Sequence, residues 1–191
     1  MNFRRVGQPI NNFSRFWILA GSHVLFIVDH IAAHQPVTTL WNWVVNNREG
    51  KTEWQTEKSC LTIKRKEAAI KLFHGGSGTW SFPVHSFLHD AYHTEPNQLG
   101  EGGSGSSLLF RFTEKQSNTN RCVVHAIALD EPNLVDNWQL KEENNQYTLR
   151  SDTRQWTLQL NDADSFSIIS GHNRQWDIGK QGEQYALKRH K

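Results

Sequence analysis

Cysteine is scarce. The two present, Cys60 and Cys122, belong to no C-x-x-C pair, which excludes a disulfide framework and a zinc-ribbon motif and leaves open only a bridge between the two. An excess of one charge is also missing: 21 basic residues stand against 19 acidic ones, too balanced for nucleic-acid binding driven by charge. No long hydrophobic run exists. The nearest is Phe16 to Val28, preceded by Arg4 and Arg5 and followed by Ala32-Ala33, an arrangement that imitates a signal peptide. Gly21, Ser22 and His23 interrupt it, so it is too short and too polar to span a bilayer and reads instead as a hairpin. A fixed-period repeat is absent, which argues against propellers and solenoids. The glycine-rich stretch at 100–107 lacks the G-K-[ST] ending of a phosphate-binding loop, and no G-x-S-x-G elbow accompanies His74-Gly75-Gly76-Ser77-Gly78.

What the chain does have is a set of large rings, 8 Trp and 10 Phe, on a length of 191 residues that can bury a core without staples. Short segments with strand composition recur along the whole chain, each closed by a turn signal. They fall at 14–20, 24–30, 37–45, 53–57, 59–64, 68–73 and 79–82, then at 107–113, 121–129, 138–142, 146–150, 155–160, 165–169, 175–178 and 184–187. Tyr147-Thr148-Leu149-Arg150 and Trp156-Thr157-Leu158-Gln159-Leu160 alternate apolar with polar, as strands with one wet face require. Asn144-Asn145, Asp152-Thr153, Asn161-Asp162, Gly171-His172-Asn173 and Gly179 to Gly182 supply the turns of a carboxy-terminal meander. Lys64 to Glu67 are good helix formers, yet their flanks alternate, so they read as a turn. The expectation is an all-β, antiparallel, supersandwich-like β-sandwich with few or no helices. Residues 1–191 would form one domain, or two packed sub-sandwiches with a flexible seam at 100–107.

Three constellations bear on chemistry. His85, His89 and His93 recur every fourth residue beside Asp90 and would share one face of a helix, where they could ligate zinc. Strand and loop signals there favour histidines that face solvent or make hydrogen bonds, so no cofactor is expected and zinc stands as the alternative. Trp41 and Trp43 lie on one side of a strand with Trp54 near, either as core or as a platform for sugar rings. Arg48, Lys51, Lys58, Lys64, Arg65 and Lys66 bias that region towards uronate or sulfate groups, or form a solvated basic face. The 10 histidines would strengthen binding to acidic sugars in mild acid.

Arg4-Arg5-Val6, Phe16-Trp17-Ile18-Leu19, Gly21-Ser22, Val24 to His30 and Leu40-Trp41-Asn42-Trp43 together resemble a pattern of heparinase II/III-like polysaccharide lyases. There an arginine-bearing strand is followed by an apolar strand ending in Val-Val-Asp-Arg and by a strand of the Trp-x-x-His type; His30 stands here in the place of that arginine. Gly78 to Val84, Leu108 to Thr113 and Val123 to Leu129 are similar to the family's closing strands, so the likeness covers about the first two thirds of the chain. The resemblance implies a β-sandwich that follows an α/α-toroid, with β-elimination of uronate-containing polysaccharide at their junction. The family's catalytic tyrosine and histidine lie upstream of the matched pattern, and no residue here corresponds to them. The implied function is an accessory module without its own catalysis, with acidic polysaccharide and an α/α-toroid domain or chain as partners, and neither nucleic acid nor membrane. Trp41, Trp43, Arg48 and Trp54 are the expected sugar contacts. A free-standing carbohydrate-binding module and a metal-dependent enzyme built on His85, His89 and His93 are the alternatives. The compartment would be periplasmic or extracellular for part of an exported lyase and cytoplasmic otherwise.

Overall fold

The computed structural model describes residues 9–47, 50–81, 87–88, 106–162, 164–182 and 184–190. Its strands, in chain order, are β1 (Ile10–Ala20), β2 (Val24–Val37), β3 (Leu40–Asn47), β4 (Glu53–Glu57), β5 (Cys60–Lys64), β6 (Ala69–His74), β7 (Gly78–Ser81), β8 (Phe87–Leu88), β9 (Ser106–Glu114), β10 (Asn118–Asp130), β11 (Gln139–Glu143), β12 (Gln146–Arg150), β13 (Gln155–Asp162), β14 (Ser165–Ser170), β15 (Gln175–Gln181) and β16 (Gln184–Arg189). Among the described residues the only helical piece is a 3₁₀ turn, Val135–Asn137. The all-β expectation holds, and every pairing is antiparallel.

Three sheets stack in layers. A central sheet of order β1-β2-β10-β6-β5-β4 lies between a six-stranded meander, β11 to β16, and a small sheet of order β3-β9-β7 with β8 against β9. The reason is written in β2 and β10, which present apolar side chains on both faces. Val24, Phe26 and Val28 of β2 and Val124 and Ala126 of β10 point one way, onto Leu149, Leu158, Phe166 and Trp138 of the meander side. Ile31 and Val123 point the other way, onto Trp41 and Phe112 of the small sheet. Farther along the same face, Leu61, Ile63 and Leu72 meet Phe110. A strand buried on both faces reads as an unbroken apolar run, and Val24-Leu25-Phe26-Ile27-Val28 is one. The meander strands alternate instead, because only one of their faces is covered.

The turns carry the residues their backbones need. Gly21 closes the β1–β2 hairpin at φ +72, and Asn144 and Asn145 close β11–β12 at φ +48 and +62, a conformation asparagine tolerates. Between β5 and β6 the segment read as a turn is one, with Arg65 N–H donating to the Ala68 carbonyl. Strand β2 continues through Pro36 to Val37, past the break expected at residue 30. Of the stretch at 100–107, Ser106 and Ser107 open β9 and the rest lies outside the described residues. Cys60 and Cys122 are free thiols.

Candidate functional site

Where the small sheet covers the central one, a carboxylate is sealed inside. Asp29, 0% exposed, is the last residue of the apolar run on β2. Arg15, directly opposite on β1, donates to it twice, Nε to Oδ1 at 2.6 Å and Nη2 to Oδ2 at 2.7 Å. Trp41 Nε1 on β3 donates to Oδ2 at 2.8 Å, and His125 Nε2 on β10 donates to the same oxygen at 3.3 Å. One carboxylate therefore ties three strands of the central sheet's neighbourhood and one of the small sheet together. Burial alone would push its carboxyl upwards, but the hydrogen bonds from Arg15, His125 and Trp41 outweigh that and hold it well below the usual range.

His74 extends the cluster. Its ring stacks on Phe112 at 3.8 Å between centroids and meets the edges of Trp41 and His125 at 4.6 and 4.3 Å. Nδ1 donates to the Gly75 carbonyl at 2.7 Å, so the neutral ring leaves a lone pair on Nε2. Burial, then the neighbouring His125, drives this imidazole down to about 2. Burial likewise lowers His125, against the pull of Asp29. Both rings are neutral and enclosed. The ionised carboxylate, 0% exposed and already accepting four hydrogen bonds, is sealed away from any substrate proton, and the imidazoles beside it lie under Trp41, Trp43 and Phe112. The cluster joins layers; it is not built to move a proton.

On the same face of the central sheet, the edge strands β1 and β4 each carry an exposed large side chain. On β1, Arg15 sits between two rings, 5.5 Å from the Phe13 centroid and 5.9 Å from that of Trp17. Trp17 is 62% exposed and Leu19, next on that face, 74%. At the far edge, Trp54 of β4 leans on Phe110 at 5.5 Å and keeps 44% of its surface open.

The residues singled out from the sequence fall in different places. Trp41 is 4% exposed and its indole serves Asp29; Trp43 is half-buried with its ring against His125; Trp54 is the exposed one. Arg48, His85, His89 and His93 lie outside the described residues. Among the described residues no group of three or more His, Cys, Asp or Glu side chains is placed to hold a metal. The basic region is partly neutralised: Lys64 pairs with Asp136, and Lys71 donates to the Asp136 carbonyl and lies over Phe73. Trp17 was missed because it sits inside the apolar run Phe16 to Leu19, where alternation assigns no face to solvent. The signal available was Arg15, a charge two residues before Trp17 and so on the same side of the strand. No family model matches the chain, and no curated protein matches it.

Proposed function

We propose that the chain is an accessory β-sandwich module of a heparinase II/III-like polysaccharide lyase, contributing a wall to the cleft for an acidic, uronate-containing chain beside an α/α-toroid partner. The observation that carries the reading is the pair of exposed indoles, Trp17 and Trp54, flanking the small sheet on one face of the central sheet. A flat β surface with separated aromatic rings suits an extended polymer better than a compact ligand, since each ring offers an apolar face to a sugar and leaves the hydroxyls to water. Support for the family comes from two residues of its pattern, the aspartate that ends the apolar strand and the first tryptophan of the next strand, which are joined by a hydrogen bond, with Arg15, outside that pattern, completing the cluster.

Catalysis is assigned to the partner, because the buried carboxylate and imidazoles here are committed to packing. The exposed indoles equally favour a free-standing carbohydrate-binding module, and the two differ in whether a toroid is needed for tight binding. Electrophoresis through gels containing heparin, hyaluronan or alginate tests the shared content. Retardation of the wild type that Trp17→Ala and Trp54→Ala each reduce supports it; migration unaffected by all three polymers overturns it.

A further inference from the structure

Away from that face, three hairpin turns converge at one end of the central and meander sheets and enclose a cleft of about 500 Å³. This size suits one or two sugar units or another small polar molecule. The turns are 21–23 between β1 and β2, 151–154 between β12 and β13, and 171–174 between β14 and β15. Trp156 lies against the first of them so closely that a Cβ on Gly21 would stand 2.7 Å from its ring.

The polar groups are held in place from behind. His23 Nδ1 donates to the Leu129 carbonyl at 2.9 Å while Leu129 N–H donates to the His23 carbonyl at 2.8 Å, so the turn is pinned to β10 and the ring's orientation is fixed. Arg154 Nη1 donates to Asp130 Oδ2 at 3.2 Å, and Trp138 Nε1, fully buried, donates to that same oxygen at 2.8 Å. Asn137 Nδ2 donates to Asp152 Oδ2 at 3.1 Å. The side chains of His23, Asp152 and Arg154, which line the cleft, thus have their orientations already set, which lowers the ordering cost of binding.

Charge narrows the ligand. Asp130 neutralises Arg154, so among the residues that line the cleft the Asp152 carboxylate is the uncompensated charge, which disfavours uronate, sulfate or phosphate. An indole beside the hydroxyls of Ser22, Ser151, Thr153 and Ser170, an imidazole and a carboxylate fits the apolar face and hydroxyl edge of an uncharged sugar. We propose that this cleft is a second binding site, selective for a neutral saccharide unit. It does not depend on the acidic-polysaccharide reading of the opposite region.

The test is a titration of isotope-labelled whole chain with D-glucose, D-galactose and N-acetyl-D-glucosamine, and separately with D-glucuronate and D-galacturonate, followed by NMR. The indole N–H of Trp156 and the ring signals of His23 and His172 should move with at least one neutral sugar while those of Trp17 and Trp54 stay still. The matching uronate should bind roughly tenfold more weakly. Asp152→Ala, at an exposed position, should lose roughly tenfold in affinity for the neutral sugar with an unchanged unfolding midpoint, and Thr153→Val should weaken it with the fold likewise intact. Absence of any shift at the three cleft residues with all three neutral sugars overturns the site. So does a uronate that binds more tightly than its neutral counterpart, or a neutral sugar whose affinity both variants leave unchanged.

Discussion

Replacing Asp29 by asparagine keeps the shape of the side chain and removes its charge. The carboxylate accepts from Arg15 twice, from Trp41 and from His125, three of the four bonds falling on Oδ2. An amide can satisfy the Oδ2 cluster with its oxygen, but its NH₂ then confronts Arg15 Nε. Breaking a buried charge pair by removing one partner costs about 3–5 kcal/mol. The Arg15 side chain is 34% exposed and can turn part of its charge to water, so Asp29→Asn belongs at the lower end, about 3 kcal/mol. Arg15→Met leaves the carboxylate buried with no route to solvent and belongs at the upper end, about 5 kcal/mol. For a chain of this size these losses lower the melting temperature by about 2–4 °C per kcal/mol. Urea unfolding followed by tryptophan fluorescence measures both. An Asp29→Asn variant within about 0.5 kcal/mol of wild type, or one less stable than Arg15→Met, would contradict the buried ion pair.

Stability should fall as pH drops below about 6.5, because unfolded imidazoles take up protons there that buried His74 and His125 refuse, with a slope approaching about 1.4 kcal/mol per pH unit for His74 and a contribution of the same sign from His125. Asp29 acts in the same direction at lower pH: its depressed carboxyl stabilises above the unfolded value near 4, and that contribution is lost as pH falls further. Urea midpoints across this range should show the decline, and His74→Phe should flatten it; a midpoint independent of pH would refute the buried neutral rings. Gly75→Ala should cost about 3 kcal/mol, since its Cβ would stand 2.3 Å from the Val124 carbonyl oxygen, whereas Gly50→Ala, in open space at φ +63, should cost about 1 kcal/mol. Equal costs in thermal melts would contradict the close approach of β6 to β10. Trp17→Ala should change stability by less than about 1 kcal/mol while weakening polysaccharide binding roughly tenfold, read by calorimetry on the same sample.

Strand positions were legible because side-chain alternation is local: 146–150 and 53–57 coincide with β12 and β4. Extensions such as β2 beyond His30 were not, since Pro36 reads as a break and only pairing with Asn118 carries the strand on to Val37. The layer order was half visible. The unbroken apolar run in β2, and the run in β10 interrupted at His125, mark strands covered on both sides, but the partner of each face depends on contacts between separate strands, such as Trp41 with Asp29 and Val123. For the same reason Trp41 and Trp43 could be put on one side of a strand without knowing that this side meets the central sheet. Trp17 is exposed on an edge strand, a position set by the strand order of the sheet and absent from β1's own pattern. The cleft beside Trp156 was represented in the sequence only as three separate turn signals.

Binding of acidic polysaccharide without turnover is tested by ultraviolet absorbance of the unsaturated uronate product. Pure chain mixed with heparin, heparan sulfate, alginate or hyaluronan should give a flat trace, while calorimetry on the same mixtures shows binding to at least one polymer that weakens with added salt, because charged contacts on an open surface are screened. A steady rise in absorbance, or no heat of binding with any of the four at low salt, would contradict it.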